Sequence, residues 1–309
     1  MKLGIVFSGQ GAQKAKMGIE FLNDPVFKQL VQTATRISKL NILKNMESAN
    51  DELTKTVNLQ PTLTTLNIGL YKMLKRDTSN LKVSCMGGLS LGEYSALIAS
   101  NAIDFEQGIR LLVDRGKYMQ EVANDHKGSM LAIINPNMEK IKDICNLYDV
   151  EIANYNSPNQ IVIGGIDEKI KQAKKVILEE EAALRVVELN VNGAFHTSLF
   201  SKVKGQLANS LKKVTFNEPK IPVLSNTISK PFTKQNISEI LAKQVTNPTY
   251  FAKNIESMKK DYGVTHIVQI GPGKALTSFI KQSALGIKTY NIATLKDYQR
   301  FLTIYSNFK

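Results

Sequence analysis

The 309 residues are 43% hydrophobic and 22% charged, a composition typical of a globular protein with a sizeable core. No apolar run approaches the roughly 20 residues that span a bilayer, and residues 1–7 lack the cleavage site of a secretory signal. We therefore expect a cytoplasmic protein without membrane attachment. The two cysteines, Cys85 and Cys145, show no metal-ligand or redox-motif spacing, as expected for a reduced compartment.

The formal net charge of +13 comes mostly from lysines scattered along the sequence. A nucleic-acid-binding protein would cluster this charge with aromatic residues or carry a recognition motif, and neither is present, so no nucleic-acid partner is expected. Two compatible interpretations remain: a solvated basic surface, or a positive field that attracts an acidic partner or a phosphorylated ligand.

Both ends of the chain predict an α/β domain. Short β-branched strands end in glycine-rich turns and precede helices, and the functional loops of such domains lie at the carboxyl ends of the strands. We expect strands at residues 3–7, 82–86 and 266–270, and helices at residues 60–75, at 91–99 and from an N-cap at Asp104 onward.

The middle of the chain predicts a smaller unit with the order β-α-β-β-α-β of a ferredoxin-like fold. Its elements are expected at residues 130–134, 138–147, 151–155, 160–163, 167–180 and 184–189, with a turn at 156–159. We therefore predict a ferredoxin-like subdomain at residues 125–190, inserted into a larger domain formed by residues 1–124 and 191–309.

One pentapeptide has the spacing of a nucleophile elbow. Gly88-Leu89-Ser90-Leu91-Gly92 places a serine two residues from a glycine on each side, between a predicted strand and a predicted helix. A helix that begins just after the serine points backbone N–H groups at any oxyanion formed there. Ordinary strand–turn–helix connections also show this pattern, so the motif alone leaves both a nucleophile and a plain turn open.

A serine of ordinary pKa needs a base, and the chain has three histidines. His266 lies in an apolar run and is interpreted as a core or edge-strand residue, and His126, in a polar connection, as a surface residue. His196 follows the predicted subdomain, and a junction between domains is a favoured place for a site. Paired with an elbow serine, His196 is the best candidate base.

Arg115 leans toward the apolar face of the helix that starts near Asp104. A guanidinium keeps its charge, so a partly buried one requires an anion. That anion is either an internal carboxylate, such as Asp114 or Glu121, or a carboxylate on the substrate, held by two parallel hydrogen bonds.

Glycine-rich turns at residues 9–11 and 271–273 either cradle an anion or simply turn the chain. The dinucleotide motif G-x-G-x-x-G and the nucleotide motif G-x-x-x-x-G-K-[ST] are absent, as is any metal-ligand spacing. We therefore expect no cofactor and no metal.

Five motifs together resemble those of the malonyl-CoA:acyl carrier protein transacylase family. They are FSGQGAQ at 7–13, GLSLGE at 88–93, DRGK at 114–117, GAFH at 193–196 and IGPGK at 270–274, in that family's order and along the whole chain. The resemblance implies a hydrolase-like α/β domain with a ferredoxin-like insertion, which agrees with the element pattern.

The resemblance also implies roles for individual residues. Ser90 would be the nucleophile and His196 its base, while the backbone N–H groups of Gln10 and Leu91 would form the oxyanion hole. Gln244 would orient His196 through its main-chain carbonyl, which makes the pair a dyad without an aspartate.

Two further residues would select the acyl group. Arg115 would hold the free carboxylate of malonate. Phe195 belongs to a GAFH pattern that resembles the malonyl-selective form, in which a ring excludes a branching methyl group at a gain of about 1–3 kcal/mol. The sequence departs from the commonest family residues at Ser8, Leu89, Asn192, Ser198 and Phe200, which affects positioning and removes no catalytic group.

The activity implied by the resemblance is a ping-pong transfer of malonyl from malonyl-CoA to the phosphopantetheine thiol of acyl carrier protein, for fatty acid biosynthesis. Acyl carrier protein is usually acidic, which suits the basic charge of this chain. Alternatives are a discrete acyltransferase that serves a polyketide synthase, a serine thioesterase or hydrolase, and a carrier-docking scaffold without activity. One complete site per chain makes a monomer sufficient.

Overall fold

A computed structural model describes residues 1–48, 51–78, 81–125, 127–191 and 193–307. Within these ranges the chain forms eight strands and twelve α-helices. The strands are β1 (Leu3–Phe7), β2 (Val83–Gly88), β3 (Gly128–Pro136), β4 (Glu151–Ser157), β5 (Gln160–Ile166), β6 (Ala183–Glu188), β7 (His266–Ile270) and β8 (Lys288–Ile292). The helices are α1 (Pro25–Ser38), α2 (Ile42–Glu47), α3 (Thr56–Asp77), α4 (Leu91–Ala99), α5 (Phe105–Asp125), α6 (Met138–Tyr148), α7 (Asp167–Glu179), α8 (Ser201–Leu211), α9 (Ile237–Gln244), α10 (Phe251–Lys260), α11 (Ala275–Gln282) and α12 (Leu295–Ser306).

The larger sheet is parallel, with the strand order β2-β1-β7-β8. The central strands β1 and β7 are buried along their whole length, because helices cover both faces of a parallel sheet and its strands become continuous apolar runs. Helix α3 is buried on nearly all sides and packs against α1, α4 and α5. This order places the carboxyl ends of β1 and β2 side by side.

The smaller sheet is antiparallel, with the order β4-β5-β3-β6. Successive side chains of a strand point to opposite faces, and both faces are apolar here. Leu131 and Ile133 of β3 pack with helices α6 and α7, whereas Met130 and Ala132 join the core of the larger domain. The second face therefore closes over the larger domain and leaves a cleft between the two sheets.

A strand-like contact links β4 to the segment between α9 and α10. The N–H of Tyr155 in β4 donates to the carbonyl of Thr249 at 2.8 Å, and the N–H of Thr249 donates to the carbonyl of Ala153 at 3.0 Å. The segment that follows α9 is thereby tied to the smaller sheet. Across the described ranges, no helix has the length and apolar character needed to cross a bilayer.

The predicted α/β class and the β-α-β-β-α-β unit are confirmed. Strands β1 and β7 and helix α4 have the predicted bounds, and Asp104 caps α5 by accepting from the N–H groups of Glu106 and Gln107. All elements of the smaller unit lie between Gly128 and Glu188, inside the predicted range 125–190. The exact domain limits stay a prediction.

Several predicted bounds were wrong by a few residues; the strand before the elbow, for example, is Val83–Gly88 where 82–86 was predicted. Strand β4 continues to Ser157 and β5 begins at Gln160, so the turn at 156–159 shrinks to two residues, since pairing extends the strands. Helix α3 begins at Thr56, one turn before the predicted start, and contains Pro61. Pro61 lies in the second turn of α3, where the absence of its N–H removes one intrahelical hydrogen bond.

Candidate active site

Ser90 lies at the turn between β2 and α4, with φ 52° and ψ −102°. A non-glycine residue in such a conformation costs on the order of 1–3 kcal/mol and persists only where its surroundings fix it. A Cβ on Gly88 would lie 2.2 Å from the carbonyl carbon of Gly92, and one on Gly92 would lie 2.2 Å from the carbonyl oxygen of Phe7. Both glycines are therefore required by close backbone approach, and the sharp turn presents the serine side chain at the cleft.

His196 lies in hydrogen-bonding contact with this serine. Its Nε2 is 2.8 Å from the Ser90 Oγ, and its Nδ1 is 2.7 Å from the main-chain carbonyl oxygen of Gln244. Because a carbonyl only accepts, Nδ1 carries the proton and Nε2 is left to accept from the hydroxyl. Serine and histidine thus form a dyad whose orienting group is a backbone carbonyl.

His266 does not contribute to this geometry. His266 is buried in β7, an interior strand of the parallel sheet, which agrees with its interpretation as a core residue. His126 lies outside the described residues.

The buried position of His196 predicts how the nucleophile responds to pH. Burial, together with the smaller effect of the Arg115 cation, lowers the pKa of His196 to about 4. The neutral imidazole is the working base, so reactivity is present above this pKa and is lost as the pH falls through it. We expect the rate constant for phosphonylation of Ser90 by a small fluorophosphonate to stay level from about pH 8 to about pH 5, then fall about tenfold per pH unit.

Intact-mass measurements over a pH series test this expectation, with circular dichroism at each pH as the control for folding. An inflection near 6.5, the ordinary value for histidine, would contradict it.

The two backbone N–H groups expected to form the oxyanion hole, those of Gln10 and Leu91, lie next to the elbow in the structure. Gln10 follows β1, and a Cβ on the preceding Gly9 would lie 2.3 Å from the carbonyl oxygen of Leu89, so this turn touches the elbow. Leu91 is the first residue of α4, where helix N–H groups have no intrahelical acceptor. Neither N–H donates to an acceptor in the described part of the chain. Both therefore remain available to a ligand oxygen.

Arg115 projects from α5 into the protein and is 1% exposed. Its Nη2 donates to the side-chain carbonyl of Gln244 at 3.1 Å and lies 3.4 Å from the Ser90 Oγ. The guanidinium also stands 5.1 Å from the ring centre of Tyr94, a cation–π contact. A fixed positive charge thus lies beside the nucleophile.

Among the described residues, Arg115 forms no internal salt bridge of the predicted kind. Asp114 instead accepts from the hydroxyl of Ser210 at 2.7 Å, and within the described ranges no carboxylate oxygen lies within 4.0 Å of the guanidinium. The Nε of Arg115 donates to no acceptor there. A buried cation with an unused donor favours the other alternative, an anion carried by the ligand.

Gln244 connects the base to this cation. It is fully buried at the end of α9, with its carbonyl on His196 and its side-chain oxygen on Arg115. Its Nε2 donates to the Ser90 carbonyl at 3.2 Å and to the carboxylate of Glu93. The resemblance implied only the contact of the Gln244 main-chain carbonyl with His196. The contacts of the Gln244 side chain were not predicted.

The cleft above the dyad has a volume of about 120 Å³ and lies between the smaller sheet and the turns that follow β1 and β2. Phe195 forms part of its wall, with its ring packed against Phe200 at a centroid distance of 5.1 Å. The smaller sheet contributes Met130, Asn154, Asn156 and Val162. The Oδ1 of Asn156 is buried and has no hydrogen-bond donor among the described atoms. An acyl chain entering here would pass between aromatic, aliphatic and amide side chains.

Sequence reasoning placed Ser90, His196, Arg115, Gln10, Leu91, Phe195 and Gln244 in one site, and the structure brings all of them together. Sequence reasoning missed Asn226, whose side chain contacts the elbow. It also missed that Glu93, the last residue of the GLSLGE motif, accepts a hydrogen bond from Gln244. Asn156 was interpreted only as a turn residue.

Two of the residues that depart from the family pattern, Ser8 and Ser198, form hydrogen bonds with neighbouring side chains. The hydroxyl of Ser8 donates to Asn67 Oδ1 at 3.4 Å. Ser198 donates through its N–H (2.9 Å) and its hydroxyl (2.5 Å) to Glu151 of β4. Asn192 lies outside the described residues. The turn at 271–273 packs directly on Ser8, since a Cβ on Gly271 would lie 2.0 Å from the Ser8 Oγ.

Comparison with known proteins agrees with this geometry. Residues 5–304 match a family model described as acyl transferase domain. A malonyl CoA-acyl carrier protein transacylase of Staphylococcus aureus (strain MW2) is 33% identical over 308 residues, which covers 96% of this chain and 97% of that protein. A polyketide biosynthesis malonyl CoA-acyl carrier protein transacylase of Bacillus subtilis (strain 168) is 36% identical over 279 residues, which covers 89% of this chain and 94% of that protein.

A solved structure of a malonyl-transacylase in complex with a type II PKS acyl-carrier protein superposes on this chain with a TM-score of 0.93 at 29% identity. The match covers 98% of this chain and 100% of that chain. From the serine–histidine dyad, the buried arginine and these matches along nearly the whole sequence, it follows that the chain belongs to the malonyl CoA-acyl carrier protein transacylase family.

Proposed function

We propose that this protein transfers the malonyl group from malonyl-CoA to the phosphopantetheine thiol of acyl carrier protein in the cytoplasm, and so supplies fatty acid biosynthesis. One observation carries the proposal. The Oγ of Ser90 lies 2.8 Å from the base His196 and 3.4 Å from the buried cation Arg115. A nucleophile thus stands beside a group that binds the free carboxylate of its substrate.

In the first half-reaction the Ser90 Oγ attacks the thioester carbonyl while His196 Nε2 takes the hydroxyl proton. The N–H groups of Gln10 and Leu91 hold the oxyanion, each donor contributing a factor of about 10²–10³ in rate. Collapse of this intermediate breaks the carbon–sulfur bond. His196 returns the proton to the departing CoA sulfur, and malonyl-serine remains.

In the second half-reaction the carrier thiol attacks the ester and gives its proton to His196, which passes it to the Ser90 oxygen as that bond breaks. Each step uses only groups of this chain and its two substrates. We therefore propose that neither a metal nor an organic cofactor takes part, and that a single chain is sufficient.

Arg115 selects the acyl group through its charge. The malonate carboxylate would supply an anion partner for the guanidinium, whereas an acetyl group carries no charge that could pair with the buried cation. Leaving a buried charge without a partner costs several kcal/mol, on the order of 3–5. This difference favours malonyl over neutral acyl groups.

The proposal is tested by mixing the pure protein with malonyl-CoA and recording its intact mass. A malonyl-sized adduct is expected, which hydroxylamine removes and which added acyl carrier protein discharges. Absence of an adduct, or release of free malonate at the rate of turnover without any carrier, would favour a hydrolase instead. Because one relative is named for polyketide biosynthesis, carriers of fatty acid and polyketide synthesis should be compared. Faster transfer to the polyketide carrier would reassign the pathway.

The basic charge of the protein predicts a salt effect on only one half-reaction. The net charge of +13 attracts an acidic carrier, and screening weakens such attraction once the Debye length falls to about 8–10 Å near physiological salt. We expect kcat/KM for the carrier to fall steeply with added KCl, while hydroxylamine discharge of malonyl-serine stays constant. Parallel declines in both rates would point to salt-induced damage of the site, and a flat carrier response would refute the electrostatic contribution.

The ring of Phe195 predicts discrimination against a branched acyl group. It is 6% exposed and lines the cleft beside Ser90. We expect Phe195→Ala to raise the methylmalonyl-to-malonyl ratio of kcat/KM by about 10- to 100-fold, the effect of one methyl group in a pocket. Phe200→Ala, which removes the neighbouring ring, is the matched control, and an equal change in both variants would contradict a direct steric role.

A further inference from the structure

Asn226 lies in the connection between α8 and α9, and none of its side chain reaches the surface. This side chain bridges the first and third residues of the nucleophile elbow. Its Oδ1 accepts from the N–H of Ser90 at 2.7 Å, and its Nδ2 donates to the carbonyl of Gly88 at 2.8 Å. One amide thus closes a ring across the turn from β2 to α4.

The backbone of Asn226 is itself fixed from two directions. Its N–H donates to the carboxylate of Glu93 in α4, and its carbonyl accepts from the N–H of Tyr250 at 2.8 Å. The Glu93 carboxylate also accepts from the side chain of Gln244. Asn226 is therefore tied both to the helix that follows the nucleophile and to the segment that holds the base.

Two features of Ser90 require such a support. Its φ of 52° is a conformation that a non-glycine residue keeps only when neighbouring groups impose it. Its N–H is already engaged by Asn226, whereas the N–H groups of Gln10 and Leu91 have no acceptor among the described residues. The backbone N–H of Ser90 is thus used to hold the turn, and the N–H groups of Gln10 and Leu91 stay available to a ligand.

We infer that Asn226 is a positioning residue for the nucleophile: it clamps Gly88 to Ser90, holds the serine in its strained conformation, and leaves the oxyanion to the N–H groups of Gln10 and Leu91. This inference deepens the proposed transfer reaction and rests on it. It assigns to the elbow a side-chain support that comes from a distant part of the chain.

The test compares Asn226→Ala with Asn254→Ala. Asn254 is a matched control because it is equally buried, donates to the nearby Leu224 carbonyl and makes no contact with the elbow. For Asn226→Ala we expect the rate constants for malonylation and for fluorophosphonate labelling of Ser90 to fall about 100-fold, the usual effect of a reacting group displaced by about 1 Å. The concentration of malonyl-CoA at half-saturation should stay nearly unchanged, since the cleft walls and Arg115 remain.

Asn254→Ala should keep both rate constants near those of the wild type, even where its melting temperature falls as far as that of Asn226→Ala. Equal rate losses in the two variants, or a loss explained by weaker malonyl-CoA binding, would overturn the inference. If wild-type protein accepts no malonyl group but is labelled at Ser90, the proposed function fails, and the labelling rates alone decide the role of Asn226.

If Asn226→Ala does not fold, Asn226→Asp and Asn254→Asp replace the pair. Asn226→Asp keeps an acceptor for the Ser90 N–H and removes the donor to Gly88. Slower labelling than in Asn254→Asp supports the clamp, and equal labelling overturns it.

Discussion

Replacement of Ser90 by alanine is expected to lower malonyl transfer by about 10⁴- to 10⁶-fold, the effect of removing the nucleophile from a serine enzyme. Without the hydroxyl, no covalent acyl-enzyme can form and His196 has no hydroxyl proton to accept. Steady-state transfer and intact mass after mixing with malonyl-CoA measure the result. The malonyl-sized adduct should disappear completely.

Ser95→Ala provides the matched control for this loss. Ser95 lies in the same helix, α4, and is buried, but its hydroxyl contacts Asn67 and not the cleft. Its replacement should leave both the adduct and the transfer rate close to wild type. An adduct that survives in Ser90→Ala would show that another residue carries the acyl group.

Arg115→Ala is expected to lower kcat/KM for malonyl-CoA by about 10²- to 10³-fold, which corresponds to losing one partner of a buried charge pair. For acetyl-CoA the loss should be far smaller, because acetyl has no carboxylate and the variant removes an unpaired cation. The ratio of the two kcat/KM values is therefore the measurement that matters. It separates carboxylate recognition from a general disturbance of the site.

Arg115→Lys is the control that keeps the charge. An ammonium group offers no planar fork, and the shorter reach loses the contact with Gln244, so malonyl transfer should lie between that of wild type and Arg115→Ala. Equal losses for malonyl and acetyl in Arg115→Ala would refute the carboxylate role. They would instead indicate that the arginine acts by holding Gln244 and, through it, His196.

The contacts of Gln244 explain why the Ser90–His196 pair needs no acidic residue as a third member. A carboxylate beside His196 would raise the pKa of the base, whereas the neutral carbonyl of Gln244 orients the ring without adding charge. The buried acid of the site, Glu93, accepts instead from Gln244 and Asn226, and burial raises its pKa to about 8. The base is therefore oriented by a neutral carbonyl, and the buried acid contacts other groups of the site.

Local pattern was sufficient for the elements and motifs that depend on neighbouring residues. Strands β1 and β7 are short apolar runs enclosed by helices, and α4 follows directly from the elbow motif, so their bounds match the prediction. Where pairing with a neighbouring strand decides the end of an element, as at Ser157 in β4, the prediction was too short.

The sequence by itself identified the groups proposed for the chemistry, because Ser90, His196 and Arg115 lie in motifs whose order resembles that of one family. Only the tertiary structure decided what holds them in place. Asn226 supports Ser90 from 136 positions away, and Gln244 contacts Arg115 from 129 positions away. Such contacts join one side chain to the backbone or side chain of a remote segment, so they obey no local periodicity, and the packing of α9 and its preceding loop against the elbow creates them.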